Sequence, residues 1–355
     1  MHIAITGGIG SIGRGAVAHF LARGYRVRIL DRQPASEIAP DVLARIRGAE
    51  YRQVDITDFD ALRGIFDGLD AVVHLAALPT PALGPEHVVY DINVRGTFNI
   101  YRTAADAGIQ RVVSASSINA LGYNYGIKAF PIRYFPIDEQ HPDYTTDVYS
   151  FSKRSLEETA AYFWRREGIS GVCLRFPHVY HLDAQQEDRR KEFMQHRAQA
   201  LREFEALPEE ARITRAKAAV ARGEEFRALR LKEKPFEEQR RYWEARRAEG
   251  PPPPEAILCW GRTDFWATLS IFDACQAIEK GLTADYIGSH PIFVNDSHNS
   301  AGYPSRQLVR YCFPGVTEWK QDVTGTETLV SIDKARALIG FEPQHSISRW
   351  FDGGE

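Results

Sequence analysis

The chain has 355 residues, of which 44% are hydrophobic and 26% charged, and its formal net charge is −3. This length suffices for one large α/β domain plus a smaller lobe with a substantial buried core. The nearly balanced charge gives no reason to expect nucleic acid or an anionic membrane as a partner.

The cysteine pattern and the apolar runs narrow the class of protein further. The four cysteines are scattered along the chain without a CxxC pair or nearby histidines, which argues against a disulfide scaffold and a structural zinc site. We therefore expect no metal. No apolar run reaches membrane-spanning length, and the first predicted strand begins directly after Met1, which leaves no room for a signal peptide. We expect a soluble, cytoplasmic protein.

Predicted strands and helices alternate through the first half of the chain. A short apolar strand at 2–6 precedes a glycine-rich turn and a helix that ends at Gly24. The alternation continues with strands at 25–30, 50–54, 71–75, 111–115 and 171–176, and with helices around 62–66, around 94–107 and at Tyr149. This order predicts an α/β fold with a doubly wound parallel sheet.

The segment from about Asp183 to Gly250 differs in character, because it is rich in Arg, Glu, Lys, Gln and Ala. We predict two or three exposed helices there, broken near Pro208 and near Pro235. The α/β pattern returns at Ala256. A helix at 271–280, a strand at 291–295 and a helix at 334–339 follow.

Three glycines, Gly7, Gly10 and Gly13, lie between the first strand and the first helix. Without side chains there, the backbone can approach a pyrophosphate, whose charge is then stabilised by the helix N-terminus. Asp31 closes the second predicted strand, where a carboxylate accepts a hydrogen bond from an adenosine ribose and repels a 2′-phosphate. The pattern therefore favours NAD over NADP, although the neighbouring Arg32 can tolerate a phosphate.

Tyr149 and Lys153 are four residues apart on a predicted helix and therefore share one face. A lysine ammonium in that position can hold the phenol partly ionised, which would make Tyr149 a usable base near neutral pH.

Together these motifs resemble the extended short-chain dehydrogenases/reductases of the NAD-dependent epimerase/dehydratase family. The residues that carry the resemblance are Thr6–Gly13, Asp31, Asp55–Asp58, His74–Ala77, Asn93–Thr97, Ser116–Ser117, Tyr149–Lys153 and Arg175–Tyr180. The resemblance implies a Rossmann domain over 1–180, rejoined by about 266–296. A charged helical insertion or lid would span 181–265, and 297–355 would complete a smaller, largely helical substrate lobe.

The resemblance also implies site residues. The catalytic group would be Ser117, Tyr149 and Lys153, with Ser117 orienting the substrate oxygen. The cofactor contacts would be Gly7, Gly10, Ser11, Ile12, Gly13, Asp31, Arg32, Asp55, Ile56, Leu75, Ala76, Ala77, Asn93, Tyr149, Lys153, Pro177, His178 and Val179.

Three of the residues in these motifs have a second interpretation. Asp55 can equally cap a following helix. His74 lies in a buried apolar run and is interpreted as a packed core histidine. Asn93 can support the catalytic helix or be an ordinary polar helix residue.

Several positions depart from the family pattern. Ile118 and Asn119 stand where the dehydratases of the family carry an Asp-Glu pair, so dehydration is not expected. His178 replaces an Asn that commonly contacts a nucleotide sugar. Trp266 occupies the place of an Arg that binds a diphosphate, and Arg262 lies about one turn earlier as a possible substitute.

The candidate substrate contacts are Asn119, Tyr123, Tyr125, His178, Arg262 and Trp266. The aromatic loop at 122–137 can form a wall for a sugar ring or pack against its own domain. The charged segment can be a lid, a protein-docking arm or a solvated helical face.

The sequence as a whole predicts an NAD-dependent enzyme that oxidises a carbinol of a sugar or nucleotide sugar. The leading hypothesis is an epimerase with a transient keto intermediate. The alternative is a net dehydrogenase of a sugar or sugar acid, and an alternative from another class is a non-catalytic NAD-binding regulatory subunit. The resemblance further implies a homodimer.

Overall fold

A computed structural model describes residues 1–181, 184–230, 253–259 and 261–351. Its centre is a seven-stranded sheet in the order β10-β7-β5-β4-β1-β2-β3, in which every pair of neighbours is parallel. The strands, in chain order, are β1 His2–Thr6, β2 Arg26–Asp31, β3 Glu50–Gln53, β4 Ala71–His74, β5 Val112–Ser117, β6 Tyr134–Phe135, β7 Gly171–Phe176, β8 His178–Tyr180, β9 Thr268–Ser270, β10 Ser289–Phe293 and β11 Glu318–Trp319. The predicted doubly wound parallel sheet is confirmed.

Helices cover both faces of the sheet. The first seven are α1 Ser11–Ala22, α2 Pro40–Arg45, α3 Glu86–Tyr90, α4 Gly96–Asp106, α5 Val148–Glu167, α6 Ala184–Glu205 and α7 Glu209–Arg230. After α7, the described residues form the α-helices Pro254–Cys259, Ile271–Thr283, Ser305–Cys312 and Asp333–Ile339. Because both sheet faces are covered, β4 and β5 are buried along their whole length, as central parallel strands require.

Two apolar layers hold this sandwich together. On one face, Phe20 of α1 and Ile278 of the 271–283 helix pack with Ile5 of β1. On the other face, Ile100 of α4 and Phe163 of α5 pack in a second layer. The strand order reverses between β1 and β4, and ligands of such sheets bind in the crevice at the carboxyl ends of the strands on either side of that point.

One predicted helix is wrong. Residues 59–68 form consecutive turns, although Leu62 and Phe66 are fully buried as a helical pattern would have them. The reason is local, because Gly64 and Gly68 adopt positive φ angles of 70° and 71°, which a right-handed helix excludes.

The charged segment is helical, and its predicted break near Pro208 lies between α6 and α7. The break predicted near Pro235 lies outside the described residues. The expectation that these helices are exposed is wrong in part, because Phe204 and Ala216 are fully buried. They belong to a third apolar cluster with Leu258, Trp266 and Phe313, so α6 and α7 are packed onto the C-terminal part of the chain.

The fold also joins two cysteines that are far apart in sequence. The Sγ atoms of Cys259 and Cys312 lie 3.2 Å apart as free thiols. Sequence spacing alone does not reveal this pair, because tertiary packing of the 254–259 helix against the 305–312 helix creates it.

Across the described ranges, no helix combines the length and the apolarity needed to cross a bilayer. In the same ranges, no three His, Cys, Asp or Glu side chains cluster as a metal site would need.

Candidate functional site

The glycine turn lies at the carboxyl ends of β1 and β4. Gly7 has a φ of 67°, and a Cβ on it would lie 2.8 Å from the Cα of Ala76. Thr6 Oγ1 accepts hydrogen bonds from the backbone N–H groups of Leu75 (3.2 Å) and Ala76 (3.1 Å). These contacts bring the turn and the end of β4 against each other at the point where the strand order reverses.

The start of α1 fits an anionic group. Gly10 occupies the N-cap position, and among the described residues no side chain caps this helix. The first N–H groups of α1 are therefore available to a pyrophosphate, and the glycines leave a cradle that any Cβ would fill. These features fit a dinucleotide cofactor.

Asp31 ends β2 beside this cradle. Its carboxylate accepts hydrogen bonds from the backbone of Gln33 and Ile9, and burial nevertheless raises the pKa of Asp31. Ile9 is part of the glycine turn, so Asp31 lies at the edge where an adenosine ribose would lie. Arg32 beside it is exposed.

The second interpretation of Asp55, as a helix cap, is wrong. The segment directly after Asp55, residues 56–68, forms turns and not a helix. The Oδ1 of Asp55 accepts hydrogen bonds from the N–H and the hydroxyl of Thr57, both at 2.8 Å. Asp55 therefore closes a turn after β3. Ile56, next to it, packs against Gly96 at the start of α4.

His74 is a core histidine, as predicted. Its two ring nitrogens lie 2.8 Å from Thr6 Oγ1 and 3.0 Å from Thr97 Oγ1. Burial lowers the pKa of His74 to about 3, so the ring is neutral and ties β1, β4 and α4 together.

Asn93 forms hydrogen bonds that support α5. Its Oδ1 accepts from the N–H of Leu78 (2.8 Å), and its Nδ2 donates to the Leu78 carbonyl and to Ser152 Oγ, both at 3.0 Å. Its amide is engaged by protein on both sides and its side chain is buried, and the expected cofactor contact at Asn93 stays a prediction. Its contact with Ser152 favours the alternative in which it holds the helix of Tyr149.

The helix α5 carries Tyr149 and Lys153 on its buried face. Asp147 caps it by accepting a hydrogen bond from the N–H of Ser150 (2.8 Å). Lys153 Nζ donates to the Ala115 carbonyl at 2.7 Å and lies 5.7 Å from the centre of the Tyr149 ring. Ser117, at the end of β5, interacts with the Tyr149 hydroxyl. The three predicted catalytic residues therefore lie together.

The electrostatics of this group differ from the prediction. Burial raises the pKa of Tyr149, and only the interaction with Ser117 among the main influences opposes this. Burial also lowers the pKa of Lys153 to about 8. The expected lowering of the phenol pKa by Lys153 is therefore wrong for the protein alone, because both groups are desolvated and the ammonium donates to Ala115.

A buried ion pair below Lys153 escaped the sequence analysis. Glu157 accepts hydrogen bonds from Arg175 Nε (2.8 Å) and Nη2 (2.9 Å), and its Oε1 accepts from Ser116 Oγ (2.7 Å). Both charged side chains are almost completely buried. Glu157 lies one helical turn after Lys153, so the i, i+4 spacing shows that it shares the helix face of Lys153, but it does not reveal the pairing with Arg175 of β7. The pair fixes α5 against β5 and β7.

Two predicted substrate contacts lie beside the catalytic group. The Tyr125 ring meets the Tyr149 ring edge to face at 5.5 Å. Asn119 donates through its backbone N–H (3.1 Å) and Nδ2 (3.2 Å) to Ser117 Oγ. Among the described residues its buried Oδ1 has no hydrogen-bond donor, so it can accept one from a ligand.

Three other predicted substrate contacts do not face the crevice. Trp266 is fully buried and donates its Nε1–H to the Leu258 carbonyl, because a left-handed turn (φ 54°) at Trp266 directs the ring into the third apolar cluster. Tyr123 is buried in the same cluster. Both predictions are wrong.

Arg262 is also committed to the protein. Its Nε donates to the Cys312 carbonyl (3.0 Å), Nη1 to Glu224 (2.7 Å) and Nη2 to the Tyr123 hydroxyl (2.9 Å). The expectation that it replaces a diphosphate-binding arginine is therefore wrong.

The segment after β7 runs next to the glycine turn. His178 is exposed, Pro177 is buried, and β8 pairs with β9, with the His178 carbonyl accepting from Thr268 Oγ1 (3.1 Å). Further along, His181 Nε2 lies 2.7 Å from Ser11 Oγ at the start of α1. This segment therefore borders the crevice from the side opposite Asp31.

Residues 3–213 match the NAD dependent epimerase/dehydratase family. The chain is 32% identical over 179 residues to a NAD-dependent glucose-6-phosphate dehydrogenase of Haloferax volcanii, which covers 49% of this chain and 66% of that protein. It is 35% identical over 184 residues to a putative UDP-glucose 4-epimerase of Methanocaldococcus jannaschii, covering 50% and 56%. The aligned part thus spans less than two thirds of either relative.

A solved structure shares the fold of almost the whole chain. It is a UDP-glucose 4-epimerase from Thermotoga maritima, with a TM-score of 0.61 at 16% identity, covering 99% of this chain and 96% of the other.

Proposed function

Because the chain belongs to the NAD-dependent epimerase/dehydratase family, we propose that it is an NAD-dependent oxidoreductase that oxidises a carbinol of a sugar or sugar acid carrying no nucleotide. One observation supports this above the others. Tyr149, Lys153 and Ser117 lie together at the carboxyl end of β5, close to a glycine cradle that fits the cofactor of the family.

NAD, when bound, supplies the acceptor for the substrate hydride. Tyr149 removes the proton from the substrate hydroxyl, and Ser117 donates a hydrogen bond to the oxygen as it becomes a carbonyl. The interaction with Ser117 opposes the effect of burial on the pKa of Tyr149. With NAD bound, the positive charge of the oxidised nicotinamide ring would add to the ammonium of Lys153 and favour the phenolate further.

The cofactor contacts that we propose follow the crevice. The backbone of the glycine turn holds the pyrophosphate, and Asp31 accepts from the adenosine ribose. Asp55 and Ile56 border the adenine, and residues 75–77 lie along the ribose and pyrophosphate. Residues 177–179 and Lys153 contact the nicotinamide end. The carboxylate of Asp31 explains a preference for NAD, since it repels a 2′-phosphate.

The side chains of Trp266 and Arg262 form hydrogen bonds within the protein, which favours a substrate without a diphosphate. Trp266 fills the family's arginine position from inside the core, and each of the three nitrogens of Arg262 donates a hydrogen bond to protein. Asn119 Oδ1, in contrast, is a buried acceptor without a donor among the described residues and suits a sugar hydroxyl. Net oxidation, as in the relative named a glucose-6-phosphate dehydrogenase, is therefore preferred.

Epimerisation through a transient ketone is the second candidate, which the relative named a putative UDP-glucose 4-epimerase supports. A non-catalytic NAD-binding subunit would not need Ser117, Tyr149 and Lys153 together. Burying a lysine beside a tyrosine costs folding free energy, which favours a functional role for the pair.

We expect the purified protein to release little NAD(H) on denaturation, to bind added NAD reversibly, and to form NADH with free sugars or sugar acids. The reason is that a net dehydrogenase exchanges its cofactor at each turnover. Nucleotide content by chromatography and NADH absorbance across a substrate panel check this, with NADP as the control cofactor and UDP-sugars as control substrates. Near-stoichiometric retained NAD(H), with interconversion of UDP-sugars and no net NADH, would instead show an epimerase.

We also propose a homodimer, formed through α3, α4 and α5. These helices present an exposed aromatic patch in which Tyr90 stacks with Phe151 at 6.2 Å and Phe98 with Tyr162 at 6.4 Å. Exposed aromatic clusters of this kind are typical of association surfaces. A second copy, with the same patch, is the partner that a two-fold axis along α5 would bring.

Phe151→Asp is expected to convert the dimer to monomers, because a carboxylate cannot be desolvated in an aromatic interface without a partner. Analytical ultracentrifugation measures the mass of each variant. Ile287→Asp, at an exposed position outside the patch, is the control and should stay dimeric. A wild-type protein that sediments as a monomer at all concentrations contradicts the proposal.

A further inference from the structure

Arg227 is a buried arginine at the end of a charged helix. It lies on α7, and its side chain is only 6% exposed. Its Nη1 donates to the carbonyl oxygens of Tyr123 and Gly126, both at 2.7 Å, and its guanidinium lies 5.1 Å from the centre of the Tyr123 ring. One guanidinium thus holds both ends of the four-residue segment 123–126, here named the clamped segment.

Glu224 completes the arrangement from the same helix. Its carboxylate accepts from Arg227 Nε (2.8 Å) and from Arg262 Nη1 (2.7 Å). Burial opposes the ionisation of Glu224, but the two arginines outweigh it and hold the pKa of Glu224 below its usual value. Both guanidinium groups therefore have a counter-charge, as buried charges require.

The side chains of the clamped segment are held as well. Arg262 Nη2 donates to the Tyr123 hydroxyl at 2.9 Å, and Thr263 Oγ1 donates to Asn124 Oδ1 at 2.7 Å. On its other side the segment follows Gly122, which adopts a φ of 87° where a Cβ would overlap the backbone of Tyr144. The segment is therefore fixed at its start, along its length and at its end.

Tyr125 lies between the two clamped carbonyls. Its ring is half-buried and meets the edge of the Tyr149 ring at 5.5 Å. An aromatic face of this kind suits the apolar side of a sugar ring, and holding it in one position lowers the cost of orienting a bound substrate.

From these contacts we propose that α7 of the charged insertion positions Tyr125 over the catalytic tyrosine through Arg227, and that Tyr125 orients the carbohydrate ring. This rests on the proposed function. Arg227 is then a positioning residue, since it touches neither substrate nor cofactor, and the insertion is a wall of the site rather than a docking arm.

The test compares Arg227→Met with Arg222→Met, which removes an exposed arginine from the same helix. Methionine keeps the apolar stem and loses every donor. We expect Arg227→Met to raise KM for the carbohydrate about tenfold or more with kcat little changed, and to leave NAD binding unchanged. We expect Arg222→Met to change none of these.

Hydrogen–deuterium exchange of the peptide spanning 121–130 measures the clamp without any substrate. In Arg227→Met the peptide 121–130 should exchange faster than in wild type, whereas α5 should exchange at the wild-type rate. Arg222→Met should match wild type in both segments. If Arg227→Met lowers the melting temperature too far for this comparison, Glu224→Gln, which weakens the same contacts, is measured in the same way.

The role of the ring is tested at Tyr125 itself. Tyr125→Phe keeps the aromatic face and should retain the wild-type KM. Tyr125→Leu loses that face and should raise KM to the value of Arg227→Met. Equal KM values for the Phe and Leu variants overturn the assignment of Tyr125.

The outcomes separate this inference from the function on which it rests. Unchanged exchange at 121–130 in Arg227→Met overturns the clamp. Faster exchange with an unchanged KM shows that the segment is held but does not orient substrate, which also overturns the proposal. If the wild type oxidises no carbohydrate, the proposed function fails, while the exchange comparison still decides on the clamp.

Discussion

Tyr149→Phe is expected to lower kcat by about 10²–10⁴-fold and to leave the affinity for NAD within error of wild type. The hydroxyl of Tyr149 is the proposed acceptor of the substrate proton, and a phenyl ring offers no replacement. Lys153, which donates to the Ala115 carbonyl, keeps its place without the phenol. The loss should therefore appear in turnover and not in cofactor binding.

Initial rates of NADH formation and calorimetric titration with NAD measure these two quantities separately. Tyr162→Phe is the matched control, since Tyr162 lies on the same helix and its hydroxyl accepts only a surface contact from Arg166 among the bonds described. It should retain full activity. If Tyr149→Phe keeps more than a few per cent of wild-type turnover, the assignment of Tyr149 as the base is wrong. A regulatory NAD-binding subunit would be indifferent to the change.

Gly13→Ala is expected to weaken NAD binding strongly and to destabilise the fold. A Cβ at this position would overlap the carbonyl oxygen of Gly7 and lie 2.8 Å from Gly8 Cα, so the turn must move. Overpacking of this kind costs about 1–3 kcal/mol. Each backbone N–H group that no longer donates to the pyrophosphate removes about 1.5–3 kcal/mol of binding free energy. The affinity for NAD should therefore fall by about 100-fold or more.

Calorimetric titration with NAD and thermal unfolding check this prediction. Gly223→Ala is the control, because Gly223 lies within α7 and a Cβ there meets no described atom within 4 Å. It should bind NAD normally and gain roughly 0.5–1 kcal/mol of stability. Normal NAD affinity in Gly13→Ala would mean that the glycine turn is not the pyrophosphate site.

Short-range patterns predicted the parts of the structure that depend on local geometry. The alternation of apolar strands and amphipathic helices predicted the parallel sheet, since period and length distinguish the two elements. The i, i+4 spacing placed Tyr149 and Lys153 on one helix face, and the break at Pro208 followed from the lost N–H of proline. His74 was recognised as a core residue because it stands inside a buried apolar run.

The errors concern residues whose roles depend on distant partners. Trp266, Tyr123 and Arg262 have chemistry that suits a sugar site, but the third apolar cluster takes up the two rings. The guanidinium of Arg262 donates hydrogen bonds to Glu224, Cys312 and Tyr123. The sequence does not distinguish Arg227 from the other charged residues of its polar helix.

The sequence by itself therefore determined the fold class, the family and the identity of the proposed catalytic group, because these depend on spacing within single elements and single turns. Tertiary structure alone decided which polar and aromatic side chains remain available to a substrate. Hydrogen bonds and burial between segments about a hundred residues apart, such as Arg227 with the carbonyls of Tyr123 and Gly126, leave no periodicity in the sequence. Burial likewise set the pKa of Tyr149 and Lys153, since desolvation depends on everything that packs around a group and not on its neighbours along the chain.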